Sequence, residues 1–162
     1  MVTMTQNNSI LMPKIALYEP DIPQNTASII RTCSCLGVFL EIIEPCGFII
    51  SDKRFKRIVM DYMDTNKIQF FKSEKEFFKS KINERVILMT TKSKKIYTKF
   101  KFKKTDTILF GRESFGVPEH VHEKVNVRLT IPMIKEKRSL NLSTSVSMLS
   151  LIHISEPTRP SR

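Results

Sequence analysis

Tryptophan is absent from the 162 residues, glycine occurs four times and cysteine three times. So few glycines leave little room for a phosphate cradle: no GxGxxG follows the first strand-like run and no GxxxxGK[ST] occurs anywhere, which disfavours dinucleotide enzymes and P-loop ATPases. The cysteines, Cys33, Cys35 and Cys46, include no CxxC pair. Cys33 and Cys35 lie two apart in a helical stretch and so do not share a face. A disulfide framework and a zinc site are therefore disfavoured, and the thiols read as reduced, small hydrophobes. No metal is expected from the histidines: His120 and His122 follow Pro118 on what reads as a surface helix, and His153 stands alone. No apolar run approaches the roughly 18 to 20 residues that span a bilayer. Met1 to Leu11 is polar and lacks a secretory pattern, so a cytoplasmic location away from membranes is expected.

What is present is positive charge. Lys and Arg number 27 against 16 Asp and Glu, a net +11 that favours a polyanionic partner. Lys92, Lys94, Lys95, Lys99, Lys101, Lys103 and Lys104 fall in one stretch interleaved with Tyr97, Phe100 and Phe102. Cations beside rings suit a phosphate backbone with unstacked bases, and equally suit a solvated basic face. The length fits one domain with a single core.

Strand and helix alternate along the chain. Lys14 to Tyr18 reads as a buried strand, ended by Glu19-Pro20-Asp21-Ile22-Pro23. A helix follows with Asn25 as its cap, Ile29, Ile30, Cys33 and Leu36 at helical spacing, and Gly37 at its C-terminus. Val38 to Ile43 is a second strand. Asp52 to Met63 is a helix with Phe55, Ile58, Val59 and Tyr62 on one side and a basic face of Lys53, Arg54, Lys56 and Arg57. Ile68 to Phe71, Val86 to Met89, Thr107 to Phe110 and Val127 to Ile131 read as strands, Glu74 to Ser80 as a helix, and an apolar pattern resumes at Leu140. Such alternation predicts an α/β fold, a mostly parallel sheet flanked by helices, with a nucleotide-type ligand at the C-terminal ends of the strands.

Three segments carry candidate chemistry. Asn25-Thr26-Ala27-Ser28-Ile29-Ile30-Arg31-Thr32-Cys33 sits at a strand-to-helix junction, where Asn25 and Arg31 can both border a pocket. Leu109-Phe110-Gly111-Arg112-Glu113-Ser114-Phe115-Gly116-Val117-Pro118 makes a tight loop after a strand, in which backbone can approach a ligand. The run Ile131-Pro132-Met133-Ile134-Lys135-Glu136-Lys137-Arg138-Ser139-Leu140-Asn141-Leu142-Ser143 ends in side chains able to cap a helix or bind a ligand.

In this order the segments resemble the three motifs of the SPOUT (TrmH/SpoU-like) RNA 2′-O-methyltransferases. The likeness runs from about Pro13 to Met148, includes Ile15-Ala16-Leu17-Tyr18-Glu19-Pro20 and Ile43-Glu44-Pro45, and is nearest to the TrmL-type tRNA (cytidine/uridine)-2′-O-methyltransferases of the wobble nucleotide. The resemblance implies a C-terminal trefoil knot, a homodimer, S-adenosylmethionine as cofactor and the tRNA anticodon stem-loop as substrate. It places cofactor contacts on Met89, Thr90, Gly111, Ile131, Ser139 and Leu140. It makes Arg31 the residue that acts on the ribose hydroxyl, supported by Asn25, Glu113 and Asn141. Ala27 and Ser28 stand where close relatives have Gly and Asn, and Val117 where they have Leu; neither change disturbs the chemistry. Two readings compete with this one: a noncatalytic RNA-binding protein, and 2′-O-methylation of another RNA such as rRNA.

Met12-Pro13-Lys14 reads as a natural start, which makes residues 1–12 an N-terminal extension before a methyltransferase domain at 13–148. Leu149 to Arg159 reads as the in-frame translation of a sequencing adapter, so 149–162 is expected to be a foreign tail, with the knot-closing helix cut short at Pro157 and Pro160.

Overall fold

The computed structural model describes residues 12–59, 62, 67–137 and 139–155, the last four of these by backbone alone. Among the described residues six strands form one sheet: β1 Lys14–Tyr18, β2 Leu40–Ile43, β3 Ile68–Phe71, β4 Val86–Met89, β5 Thr107–Phe110 and β6 Val127–Leu129. Their spatial order is β3-β2-β1-β5-β4-β6, and every pairing is parallel. The helices are α1 Pro23–Leu36, α2 Lys53–Val59, α3 Glu74–Ser80, α4 Glu119–Lys124 and α5 Leu142–Ser155, with a 3-10 turn at Tyr97–Lys99.

The central strands are continuous apolar runs because both faces of the sheet are covered. Ile15, Leu17, Ile87 and Ile108 face one core with α1, α2 and the buried Val146 and Leu149 of α5. Ala16, Leu88 and Leu109 face the other with Phe77 of α3 and Val121 of α4. Leu149, the first residue of the stretch read as a foreign tail, is 0% exposed. Residues beyond Ser155, Pro157 and Pro160 among them, lie outside the described residues, as do 1–11. Among the described residues no helix is long and apolar enough to cross a membrane.

Several local expectations need correction. Helix α1 starts two residues before Asn25: Ile22 is its N-cap and Pro23 its first residue, because the fixed φ of proline suits that position. Asn25 is therefore helical and its side chain is free for other partners. Gly37 does end the helix, in left-handed conformation at φ 69°, and Val38 N–H closes it onto Cys33 O at 2.9 Å. That closure uses up Val38, so β2 begins only at Leu40. In α2, Phe55 and Val59 are buried but Ile58 is 57% exposed, since the two anchors four apart already define the inward stripe; Met63 lies outside the described residues. Strand β6 stops at Leu129, although Thr130 still bridges to Ile96.

Of the two readings of the basic stretch, the rings favour the solvated basic face. Tyr97 is buried, and Phe100 and Phe102 pack half-buried against the core with centroids 5.0 Å apart. Arg85 and Lys95 lie over the Phe100 ring at 4.9 and 5.0 Å. The lysines there are exposed, while the rings serve the fold. His122, expected on a surface helix, is 4% exposed on the inner side of α4, whereas His120 is exposed and contacts Glu74 at 2.8 Å.

Candidate functional site

A cavity of about 460 Å³ opens where β4, β5 and β6 end. Met89 ends β4, Thr90 follows it, Gly111 follows β5 and Ile131 lies just past β6; all four line it, together with Ser139 and Leu140 ahead of α5. Asn25, Glu113 and Asn141 line it as well. Its size is that of a small-molecule pocket, and it lies at the strand ends where parallel sheets bind ligands.

The walls are made by loops that hold one another. Glycine at 111 is required by crowding: a Cβ there would stand 2.6 Å from the Cα of Gly116. Across that close approach Arg112 N–H donates to Gly116 O at 3.1 Å and Gly116 N–H to Arg112 O at 2.9 Å, closing a tight turn with Gly116 at φ 66°. The turn is then clamped to the segment after β1. Arg112 donates from Nη2 to Glu19, Asp21 N–H donates to Glu113 Oε2 at 2.8 Å, and Ser114 N–H donates to Asp21 Oδ2 at 3.1 Å. The Ser114 hydroxyl donates to the same Asp21 oxygen. Three successive residues of the turn are thus each fixed by Glu19 or Asp21.

A second set of bonds crosses from α5 to α1. Asn25 Nδ2 donates to Glu113 Oε1 at 3.3 Å, and Asn141 Nδ2 donates to Asn25 Oδ1 at 3.0 Å. Asn141 Oδ1 accepts Thr144 N–H at 3.2 Å, the capping role expected of it. Ser143 Oγ donates to Ser28 Oγ at 2.8 Å alongside. The three residues that the resemblance groups as support are therefore one hydrogen-bonded chain.

Arg31 stands apart. It is exposed on α1, its guanidinium carbon 5.2 Å from the centre of the Tyr62 ring, and it does not line the cavity. Sequence reasoning passed over Asp21, Arg112, Phe115 and His122. Arg112, whose guanidinium carbon lies 5.3 Å from the Tyr18 ring centre, lines the cavity, and its buried Nε has no hydrogen-bond partner among the described residues. Its place between Gly111 and Glu113 was the available signal.

Electrostatics near the site follow burial. The Cys46 thiol is pushed up to about 12 by burial, then by Glu44, Glu19 and Glu113, so it stays protonated and is no nucleophile. Tyr18 is raised by burial and by its bond to Glu74. His122 is lowered by burial first, with Glu119 opposing and Lys92 and Arg128 adding to the effect, so it stands neutral at the cavity wall. Among the described residues no group of three or more His, Cys, Asp or Glu is placed to hold a metal ion.

The family model of the SpoU rRNA Methylase family matches residues 12–151. The chain belongs to the SpoU methylase family. A tRNA (cytidine(34)-2′-O)-methyltransferase of Beijerinckia indica is 43% identical over 137 residues, covering 83% of this chain and 86% of that one. The protein of the same description from Escherichia coli K12 is 35% identical over 140 residues, covering 85% and 89%. A solved structure concerned with 2-OH methylation of C/U34 on tRNA superposes with a TM-score of 0.82 at 33% identity, over 88% of this chain and 94% of the other. The AdoMet-bound rRNA methyltransferase of Sinorhizobium meliloti shares the fold alone: TM-score 0.77, 18% identity, over 88% and 55%.

Proposed function

We propose that this SpoU-family chain is a methyltransferase that uses S-adenosylmethionine to methylate the ribose 2′-hydroxyl of the wobble nucleotide, cytidine or modified uridine, in the tRNA anticodon loop. The observation that carries the reading is the cavity itself: all the residues that the motif resemblance placed at the site, Arg31 excepted, line it. The printed activity of the 43% and 35% identical relatives supports nucleotide 34 of tRNA as the target.

The residues present fit the cofactor. Apolar Met89, Phe110, Ile131 and Leu140 suit a purine, the Gly111–Gly116 turn brings backbone to the cavity edge, and the buried Nε of Arg112 is a donor left over for an acceptor. Met89, Thr90, Gly111, Ile131, Ser139 and Leu140 would hold it. The bound cofactor supplies a methyl group already activated on a sulfonium, with a neutral leaving group. Little covalent work then remains for the protein, which must position the reactants and help the hydroxyl give up its proton. Glu113, fixed by two donors, places a carboxylate where a cation is favoured. Arg31 is assigned to orient the attacking hydroxyl and stabilise its growing negative charge; a guanidinium does not act as a base. Its position outside the cavity of one chain supports including the homodimer in the proposal. The C-terminal trefoil knot implied by the resemblance is part of the proposal, and membership of the SpoU methylase family supports it.

Incubating the full chain with labelled S-adenosylmethionine and an anticodon stem-loop tests the reading. Label is expected at nucleotide 34 and lost with a 2′-deoxy substitution there. Transfer to rRNA alone would reassign the target. Salt-sensitive RNA binding without cofactor affinity or transfer would establish the noncatalytic reading instead.

A further inference from the structure

Phe115 stands at the tip of the Arg112–Gly116 turn and is 87% exposed, while also lining the cavity. Among the described residues the other aromatic rings are buried or half-buried, except Phe39 at 49% exposure. Even the rings interleaved with lysines between residues 92 and 104 are spent on packing. Exposing a phenylalanine forgoes the burial of its ring, and an unconstrained loop would fold such a ring back. This turn does not. Its ends are joined by two backbone bonds, and Arg112, Glu113 and Ser114 are each held from Glu19 or Asp21. The ring is therefore presented in a fixed place, at low entropic cost for whatever lands on it.

We propose that Phe115 is a stacking platform for an unstacked nucleobase of the RNA substrate, at or beside the nucleotide whose ribose enters the site. This rests on the RNA methyltransferase reading above. Bases of a single-stranded RNA loop are recognised splayed out of the stack, and an aromatic face compensates lost stacking whatever the base. The neighbouring charge fits: Lys92 lines the same cavity, and Lys135 and Lys137 are exposed on the loop that follows β6.

The absence of tryptophan supplies a direct probe. F115W gives the full chain a single indole, at the position in question. Anticodon stem-loop RNA is expected to quench its emission, and a stem-loop abasic at nucleotide 34 and its neighbours to bind with little quenching. F115A and F115L are expected to weaken RNA affinity about tenfold or more, the size of losing one base–aromatic stack. F115W should retain it. Absence of quenching where anisotropy shows the RNA bound, or wild-type RNA affinity in F115L, overturns the proposal. A change of sedimentation in F115A with RNA affinity intact also overturns it, assigning the ring to a protein contact. Because quenching needs no methyl transfer, failure of the activity reading alone would leave this result legible.

Discussion

Asn141 and Asn25, 116 residues apart, join side chain to side chain at 3.0 Å, with the Asn141 amide nitrogen donating and the Asn25 oxygen accepting. The neighbouring bonds fix both amide orientations, because Asn25 Nδ2 is needed by the Glu113 carboxylate and Asn141 Oδ1 by Thr144 N–H. Asn141 thus caps α5 and ties it to α1, and two substitutions separate these roles. Asn141→Ala removes both; it is expected to cost about 1 kcal/mol through the lost cap, lowering Tm by roughly 2–4 °C. Asn141→Asp keeps a capping oxygen but presents no donor to Asn25. Calorimetry should find it near wild-type stability, with methyl transfer reduced as far as in Asn141→Ala. Equal Tm losses in the two variants would show that the relay to Asn25, not the cap, carries the stability.

The two glycines of the pocket turn should respond differently to alanine. At Gly111 the added methyl would meet the backbone of Gly116 at 2.6 Å and of Val117 at 3.0 Å, and backbone has no side-chain freedom to yield. At Gly116 nothing lies within 4 Å, and the cost is only that of a positive φ, about 1–2 kcal/mol. Gly111→Ala is therefore expected to abolish S-adenosylmethionine binding and lower Tm well beyond Gly116→Ala, which should keep measurable affinity. Titration calorimetry on both decides it; comparable affinities would mean that the turn is looser than its hydrogen bonds imply.

The strands were legible because period and composition leave few choices: runs such as Ile15 to Tyr18 and Val86 to Met89 are apolar throughout and occupy a sheet covered on both faces. Local competition explains the misreadings. Asn25 resembles a cap until Pro23 is given priority, and Tyr97, Phe100 and Phe102 resemble an RNA surface until the core claims them. The positions at the cavity came from ordered motifs. The clamp by Asp21, whose bonds to Glu113 and Ser114 span 92 and 93 residues, depends on how the loops meet in space, about which local pattern is silent.

His122 predicts a pH dependence of stability. Burial holds its pKa below the ordinary 6.5, so the unfolded chain binds its proton more readily than the folded one. Stability is then complete above about pH 6.5 and declines as the pH falls below it, where folding must either expel the proton or bury a cation. His122→Gln removes this contribution and leaves the carboxylates unchanged. Between pH 7 and 5.5 the wild-type Tm should fall more steeply than that of the variant. Parallel slopes would show that His122 titrates alike in both states.

Arg31 gives the sharpest test of the assigned mechanism, because it is the one assigned catalytic side chain that the single chain keeps out of the cavity. If it serves only the attacking hydroxyl, its loss leaves the cofactor pocket whole and removes charge stabilisation realised in the transition state. Losses of one such donor are about 10²–10³-fold in kcat. Arg31→Ala is therefore expected to bind S-adenosylmethionine within about twofold of wild type while methylating the stem-loop at least a hundredfold more slowly. Arg31→Lys should recover little, since one ammonium replaces a planar fork of donors. The side chain also covers Tyr62 at 5.2 Å, so a packing role would lower Tm and cofactor affinity together and leave kcat at saturation nearly unchanged. Single-turnover rates at saturating cofactor and RNA, measured beside Tm, separate the two outcomes.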